Sequence, residues 1–403
     1  MISIEEALEI ILSQITPLGA EVVPVASASG RVLEKDMVSG LGLPPFDQSA
    51  MDGFALRFED VQGASPQSPK SLRVIGEQPA GKNLNLALKE GEAARIMTGA
   101  MMPSGADTVI QVEDTDGYGG ETAAILKSPA GKGANIRYKG EYIKKGETVL
   151  RRGTHIGPQQ VGLLSSLCLA AIPVYARPTV AILATGDEIV DVGETPTECQ
   201  IINSNSHLLS AMVAECGGRP ELLGIARDVE AAIEAKLLAG SRSDILITTG
   251  GVSVGNYDLV KAVLERLGSE LTFWKVAMKP GKPLVFGRLN GKLFFGLPGN
   301  PVASFIAFHE FVQPAIKKLG GFLHYRNAHI QARLDTELHR KVDARRIFIA
   351  SVIHEENGEF IATPLPDQGS GNLKLICDCN GFIILSNEKS FFKKGEMVTG
   401  FLL

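Results

Sequence analysis

The segment from Thr248 to Asp258 constrains the fold of this chain more than any other feature. It follows the apolar run 245–247, which is typical of a buried strand, and it precedes residues 259–264, whose apolar positions have helical spacing. A strand that leads through glycines into a helix leaves uncovered backbone N–H groups at the positive end of that helix, where an anion binds well. The segment therefore predicts an α/β domain with an anion-binding turn at the end of one strand.

A second glycine-containing turn runs from Gly296 to Pro301, before a predicted helix over 302–318. Three lysines lie between the two turns: Lys275, Lys279 and Lys282. Lysine ammonium groups neutralise phosphate and other oxyanions. Together with the acidic Asp258, these features indicate a phosphate-bearing ligand with a divalent metal.

Two more carboxylates follow predicted strands. Glu188 comes after the strand-type run 180–184, and Asp228 comes after 221–225. Because the carboxyl ends of parallel strands meet at one edge of a sheet, Glu188, Asp228 and Asp258 are candidate oxygen ligands for Mg²⁺. A helix N-cap role is an open alternative for Asp228 and for the acidic pair that contains Glu188.

Composition disfavours several classes of function. A net charge of -5 and a pI near 5.9 argue against nucleic acid or an anionic membrane as the main partner. No apolar run of the sequence approaches the roughly 18 residues that a membrane span needs, and the acidic N-terminal segment does not resemble a signal peptide. Five cysteines, an odd number, do not form a disulfide framework. We therefore expect a soluble, cytoplasmic enzyme.

The sequence changes its pattern along the chain. Residues 1–42 and 137–174 combine helical spacing with short turns, whereas 43–136 is rich in glycine and proline with short alternating runs typical of a small β domain. In 175–321 strand-type runs alternate with helical ones, which predicts a largely parallel sheet.

From residue 322 to 403 the helical spacing disappears, which predicts an all-β module. Cys377 and Cys379 would then lie on one face of a strand. They lack a second pair of metal-ligating residues at suitable spacing, so a metal site there is disfavoured.

The ordered motifs of the chain resemble those of the molybdopterin molybdenumtransferases and of the corresponding domain of gephyrin. The resemblance runs almost from end to end. It rests on the segments 44–55, 95–100, 105–110, 185–188, 203–205, 248–258, 274–283, 296–304 and 368–371. Any single glycine turn is weak evidence, but the ordered set is specific.

The resemblance implies α/β and all-β modules in an elongated homodimer. Domain I would comprise 1–42 and 137–174, with domain II (43–136) inserted into it as a β domain. Domain III (175–321) would have the molybdopterin-binding α/β fold, and domain IV (322–403) would be a small β barrel. The active site would lie between domain III of one subunit and domain II of the other.

The resemblance also implies a reaction. The substrate would be molybdopterin joined to AMP through a pyrophosphate, delivered by a molybdopterin adenylyltransferase. With Mg²⁺ and molybdate, the enzyme would cleave that link, release AMP and leave molybdenum on the dithiolene. Phosphoryl cleavage of this kind relies mostly on positioning and charge neutralisation.

Matching positions carry the family's site residues onto this chain. The residues with implied catalytic roles are Asp52, Thr98, Glu188, Asp228, Asp258, Lys275 and Lys279. Of these, the metal would be held by Glu188, Asp228 and Asp258. The residues with implied ligand-binding roles are Thr248, Gly250, Gly251, Ser253, Pro298, Gly299, Asn300, Pro301, Arg345 and Ser370. Asp52 and Thr98 would reach the pocket from the other subunit.

Three positions depart from the family pattern. Tyr142 stands where an acid is expected, Asn256 stands in the glycine turn where Asp or Glu is common, and Ala350 stands where an arginine is usual. Each departure removes a charge that would bind metal or oxyanion. Alternative hypotheses are therefore a paralogue of low activity, or a scaffold that binds molybdopterin or a partner protein without efficient turnover.

Overall fold

The computed structural model describes residues 1–251, 259–342 and 344–403. The contacts within the chain define two compact units. The larger unit comprises Met1–Lys35, Gly153–Val161 and Ala170–Leu403, and the smaller unit comprises Asp36–Arg152 and Gly162–Leu169. This division is coarser than the four predicted domains, whose boundaries stay a prediction.

The smaller unit is built on a five-stranded sheet. Its strands, in chain order, are β1 (Gly53–Leu56), β2 (Lys70–Gln78), β3 (Glu92–Ile96), β4 (Thr108–Gln111) and β5 (Thr122–Ile125). They are arranged in the order β4-β1-β3-β2-β5, with a parallel β2–β3 pair and antiparallel pairs elsewhere. Phe54, Ala55 and Leu56 are fully buried because β1 has apolar neighbours on both of its faces.

The α/β part of the larger unit contains a six-stranded sheet. Its strands are β6 (Thr179–Thr185), β7 (Arg219–Ala226), β8 (Ile245–Thr249), β9 (Glu270–Lys275), β10 (Pro283–Leu289) and β11 (Lys292–Leu297). The order is β7-β6-β8-β11-β10-β9; the first four strands are parallel, and β10 and β9 continue the sheet in antiparallel pairing. The predicted largely parallel sheet is confirmed. Its central strands are continuous apolar runs because helices cover both faces.

The helices have sequence signals at their starts. They are α1 (Ile4–Ser13), α2 (Pro158–Ser166), α3 (Ser204–Glu215), α4 (Glu230–Gly240), α5 (Leu259–Arg266), α6 (Pro301–Ala307), α7 (Gln313–Leu319) and α8 (Leu373–Asp378). Asn203 caps α3 with its side chain, and Pro301 occupies the first turn of α6. The helix predicted over 302–318 is confirmed as a continuous helical segment, and a π-helical turn at Phe308–Val312 divides it into α6 and α7.

A closed five-stranded barrel forms the C-terminal part of the larger unit. Its strands are β12 (Ile330–Leu334), β13 (Arg346–Glu356), β14 (Glu359–Pro364), β15 (Gly381–Leu385) and β16 (Met397–Leu402). The circuit runs β13-β14-β12-β16-β15 and closes through pairing of β15 with β13. The predicted small barrel is confirmed.

One local expectation for this region is wrong. Cys377 lies in α8 and Cys379 is the residue that ends that helix, so they do not share a strand face. Among the helices in the ranges the structure describes, none is long and apolar enough to cross a membrane.

Candidate functional site

The larger unit contains a cavity of about 940 Å³ next to the carboxyl ends of β8 and β11. Both glycine turns line it, together with the segment 278–283 and residues of the barrel. The sequence-predicted residues that it brings together are Glu188, Gly250, Gly251, Lys279, Pro298, Gly299, Asn300, Arg345 and Ser370.

The two turns meet backbone to backbone. Gly250 and Gly251 have positive φ angles of 88° and 62°, which favour glycine. A Cβ atom on Gly250 would lie 2.6 Å from the carbonyl oxygen of Thr185, so a side chain there would clash. A Cβ atom on Gly299 would lie 3.7 Å from the Cα of Gly250. Gly250, Gly251 and Gly299 therefore form one continuous surface, which we call the glycine floor.

Two hydrogen bonds connect the second turn to the segment before α8. Nδ2 of Asn300 donates to Oγ of Ser370 (3.0 Å), and the N–H of Val302 donates to the carbonyl oxygen of Ser370 (3.0 Å). On its other side, Gln368 exchanges two hydrogen bonds with the backbone of Ala350 in β13 (2.9 and 3.0 Å). Ser370 is thus held between the barrel and the start of α6. Ala350 itself is fully buried and does not line the cavity.

The cavity is rich in positive charge. Its Lys and Arg residues are Lys279, Lys282, Arg340, Lys341 and Arg345. Glu188 is the sole carboxylate among the lining residues in the described ranges. The guanidinium of Arg340 donates to the carbonyl oxygens of Ser386 (2.7 Å) and Arg345 (3.1 Å), so it also shapes the loop that carries Arg345. A site of this charge favours a ligand with several negative charges.

The predicted metal ligands are not all brought together. The carboxylate of Glu188 folds back against Gly186, where a Cβ atom would lie 2.7 Å from Oε1. Asp228 does not line the cavity; its backbone N–H donates to Oδ1 of Asp187 at 3.1 Å. In the part of the chain that the structure describes, no three His, Cys, Asp or Glu side chains are grouped closely enough to hold a metal ion. The described carboxylates therefore do not form a magnesium site by themselves.

Three of the positions singled out in the sequence lie outside the described residues: Ser253, Asn256 and Asp258. Three further predicted residues of the larger unit are described but do not line the cavity: Thr248, Lys275 and Pro301, which begins α6. Thr248 is fully buried within β8, and its Oγ1 has no hydrogen-bond partner among the described residues. Lys275 ends β9, where it pairs with Pro283.

In the smaller unit, Asp52 and Thr98 are in direct contact. The backbone N–H of Thr98 donates to Oδ1 of Asp52 at 2.7 Å. This bond, followed by one from the Thr98 side chain, lowers the pKa of Asp52, so the carboxylate is ionised near neutral pH. Both residues are exposed. The structure therefore presents a fixed negative charge on the surface of this unit.

Tyr142 is also in the smaller unit and is 60% exposed. Its backbone N–H donates to the carbonyl oxygen of Leu43 at 2.9 Å. A separate cavity of about 580 Å³ lies in the same loop region and is lined by three lysines: Lys139, Lys144 and Lys145. The loop that carries Tyr142 therefore has several basic side chains around it.

The sequence analysis predicted Arg345 and Ser370 but missed a further contribution of the C-terminal module to the cavity. Residues 338–341 line it, including the basic run His339, Arg340 and Lys341. The signal was present as three consecutive basic residues between two short strands, Leu338–His339 and the first residues of β13. Nothing in the local pattern says which side of the barrel faces the α/β domain.

The fold and the cavity define an α/β protein with a basic cavity at the carboxyl edge of a largely parallel sheet, lined in part by residues of the β barrel. Matches to family models cover most of the chain: the MoeA N-terminal region (domain I and II) over 2–168, a probable molybdopterin binding domain over 181–318, and the MoeA C-terminal region (domain IV) over 331–403.

Relatives agree along the whole length. The chain is 36% identical to a molybdopterin molybdenumtransferase from Nostoc, covering 99% of this chain and 93% of that protein. It is 36% identical to another from Haemophilus influenzae, covering 99% and 98%. A solved molybdopterin biosynthesis moeA protein from Pyrococcus horikoshii OT3 superposes with a TM-score of 0.82 at 32% identity, covering 100% of both chains. The chain belongs to the molybdopterin molybdenumtransferase family and is a transferase of molybdenum cofactor biosynthesis.

Proposed function

We propose that this chain inserts molybdenum from molybdate into adenylylated molybdopterin, cleaving the pyrophosphate link and releasing AMP. The observation that carries the proposal is the cavity lined by five Lys and Arg side chains and a single described carboxylate, against two glycine turns. A pyrophosphate and an oxyanion substrate together present several negative charges, and lysine and arginine stabilise the further charge that develops as the link breaks.

In this proposal the glycines, the cationic side chains and Ser370 of the cavity have different roles in binding. The glycine floor allows close approach of the phosphate groups, because no side chain intervenes. Lys279, Lys282 and Arg345 neutralise phosphate and molybdate oxygens. Ser370, fixed by Asn300 and Val302, supplies a hydroxyl at the barrel side.

We also propose that Mg²⁺ binds in this cavity. Glu188 lines the cavity, Asp228 does not, and Asp258 lies outside the described residues. A magnesium ion would be held by Glu188 and Asp258 together with phosphate oxygens and water, which suits an ion that keeps several non-protein ligands. When bound, it would neutralise charge on the pyrophosphate.

The test is direct. The purified chain is incubated with adenylyl-molybdopterin, molybdate and Mg²⁺, and AMP release and molybdenum content of the product are measured. We expect both to depend on molybdate. AMP release without molybdenum transfer, or no release in the presence of a verified substrate, would contradict the proposal.

We also propose a homodimer in which Asp52 of the partner subunit and Thr98 of the partner subunit complete the site. Subunits carrying Asp52→Ala are mixed with subunits carrying Lys279→Ala. If each heterodimer regains one intact site, a random mixture recovers about a quarter of wild-type activity. No recovery, with subunit exchange verified by mass spectrometry, would argue against a shared site.

Tyr142 favours the low-activity alternative. A phenol is a hydrogen-bonding group and not a carboxylate, so it cannot supply the negative charge of the expected acid. We expect Tyr142→Asp to raise AMP release at limiting Mg²⁺ or molybdate and to change substrate affinity little. Unchanged or slower release would show that this chain works with the tyrosine, and the low-activity alternative would lose its support.

A further inference from the structure

The side-chain amide of Asn205 connects the two turns of the glycine floor. Its Nδ2 donates to Oγ1 of Thr249, the residue before Gly250, and to the carbonyl oxygen of Gly299, both at 2.8 Å. The two acceptors follow different strands and are 44 and 94 positions away in the sequence. Asn205 is buried, with 9% of its surface exposed. One side chain therefore holds two distant turns in register.

The surrounding residues fix the position of Asn205. It is the second residue of α3, and Asn203 caps that helix by accepting from the N–H of Ser206 at 3.3 Å. The backbone N–H of Asn203 donates to the carbonyl oxygen of Val190 at 2.8 Å. The two asparagines of the motif 203–205 therefore have different roles. Asn203 caps the helix, and Asn205 donates hydrogen bonds to the two turns.

The chemistry of the two acceptors requires an amide. A backbone carbonyl only accepts, so the group facing Gly299 must be a donor, and the amide NH₂ of Asn205 has two N–H groups, one for each acceptor. The hydroxyl of Thr249 in turn donates a hydrogen bond to the carbonyl oxygen of Pro298 (3.3 Å). That oxygen also accepts from Oγ of Ser304 (2.6 Å). Oδ1 of Asn205 is buried without a hydrogen-bond partner in the described ranges. A residue chosen for stability alone would not leave this acceptor unpaired.

We propose that Asn205 is a positioning residue that keeps the turn at Thr249–Gly251 and the turn at Pro298–Gly299 aligned, so that both bind one pyrophosphate-bearing ligand. The inference rests on the proposed function for the identity of the ligand. The hydrogen-bonded bridge itself is present in the free protein and does not depend on the proposed function.

The principal variant is Asn205→Asp, which keeps the shape of the side chain and replaces the two N–H donors by an acceptor oxygen. We expect the kcat of AMP release to fall roughly ten- to a hundredfold, the factor that corresponds to one or two buried hydrogen bonds lost in the transition state. KM should change less, because the cavity lysines still bind the phosphates. In the free protein, deuterium uptake should rise in peptides that cover 245–251 and 293–300.

Two further variants isolate the bridge. Thr249→Val keeps the volume of the side chain and removes one of the two acceptors, so combining it with Asn205→Asp should lower kcat by less than the product of the separate effects. Ala211→Gly lies on the exposed face of α3 and weakens the helix without touching the turns. It should lower the Tm while kcat and deuterium uptake at the turns stay at wild-type values.

The outcomes are separable. If Asn205→Asp lowers kcat no more than Ala211→Gly does at matched loss of Tm, or if uptake at the two turns does not change, the positioning role is overturned. If the wild-type chain itself releases no AMP, the proposed function fails, and the deuterium measurement alone decides whether Asn205 aligns the turns. If Asn205→Asp does not fold, Thr249→Val carries the same test.

Discussion

The two ends of the six-stranded sheet differ in how their buried or partly buried threonine hydroxyls are hydrogen-bonded. At the amino end, Thr179 starts β6, and its hydroxyl donates to Oδ2 of Asp244 (2.9 Å) and accepts the N–H of Asp244 (3.0 Å). Oδ1 of Asp244 accepts from Nζ of Lys292 at 2.9 Å. At the carboxyl end, Thr185 ends the same strand, is 1% exposed, and has no hydrogen-bond partner for its hydroxyl among the described residues.

This difference indicates that the two ends of the sheet have different roles. A buried hydroxyl without a partner costs about 1–3 kcal/mol, so a sheet optimised only for stability would pair both ends. The amino end ties three neighbouring strands together through Asp244. At the carboxyl end, the hydroxyls of Thr185 and Thr248 have no hydrogen-bond partner within 1–251, 259–342 and 344–403. We infer that the amino end stabilises the sheet and that the carboxyl end is arranged for a ligand.

The largest effect is expected when one lysine is removed near each end of the sheet. Lys279→Ala should lower kcat/KM for AMP release about 10- to 150-fold, since a charge-assisted contact is worth about 1.5–3 kcal/mol. Lys292→Ala, at the amino end, should lower the free energy of unfolding and leave kcat/KM unchanged. Steady-state kinetics and urea denaturation of both variants check this. A loss of activity in the Lys292 variant at full folding would contradict the division.

A smaller effect is expected from Asp244→Asn. Burial opposes ionisation of Asp244, but hydrogen bonds from Thr179 and the ion pair with Lys292 outweigh it, so the pKa of this carboxyl is lowered. A lowered folded-state pKa contributes stability above the unfolded-state pKa, and that contribution is lost as pH falls through the folded-state value. We expect the variant to lose about 1–2 kcal/mol at neutral pH.

The pH dependence provides the check on Asp244. The difference between wild type and variant should shrink in denaturant titrations as pH falls below 3.8, the ordinary pKa of the carboxyl, because the wild-type carboxylate becomes protonated only below that value. A difference that is independent of pH would mean that shape, and not charge, makes Asp244 important. Asp367→Asn is a matched control: the pKa of Asp367 is also lowered, chiefly by the Asn372 side chain, but the residue is outside the sheet.

The sequence predicts much of the sheet and its turns because apolar periodicity and glycine placement are local signals. The strands around 180–184, 221–225 and 245–247 and the helix over 259–264 are found as expected. The helix α8 was missed because six residues with three apolar side chains fit a short strand equally well. The π turn in 302–318 was missed because an extra residue per turn leaves little trace in the hydrophobic pattern.

The site was predicted less completely, for a different physical reason. Glycine turns and lysines between them are visible in sequence, and the cavity contains Gly250, Lys279 and Gly299. The bridge through Asn205 joins residues far apart in the chain, so no local pattern contains it. Unpaired hydroxyls are likewise invisible, since a threonine that ends a strand looks the same whether or not its hydroxyl has a partner.

The smallest effect, and the most direct test of the comparison, comes from the two threonines of β6. Thr179→Val should lower the free energy of unfolding by about 1 kcal/mol, because the partly buried carboxylate of Asp244 loses one of its donors. Thr185→Val removes a buried hydroxyl that has no partner in the described part of the chain, and it should be neutral or stabilising, by up to about 1 kcal/mol. Urea denaturation without ligand measures both. If both variants lose stability equally, the hydroxyl of Thr185 has a partner in solution, and the carboxyl end is as fully paired as the amino end.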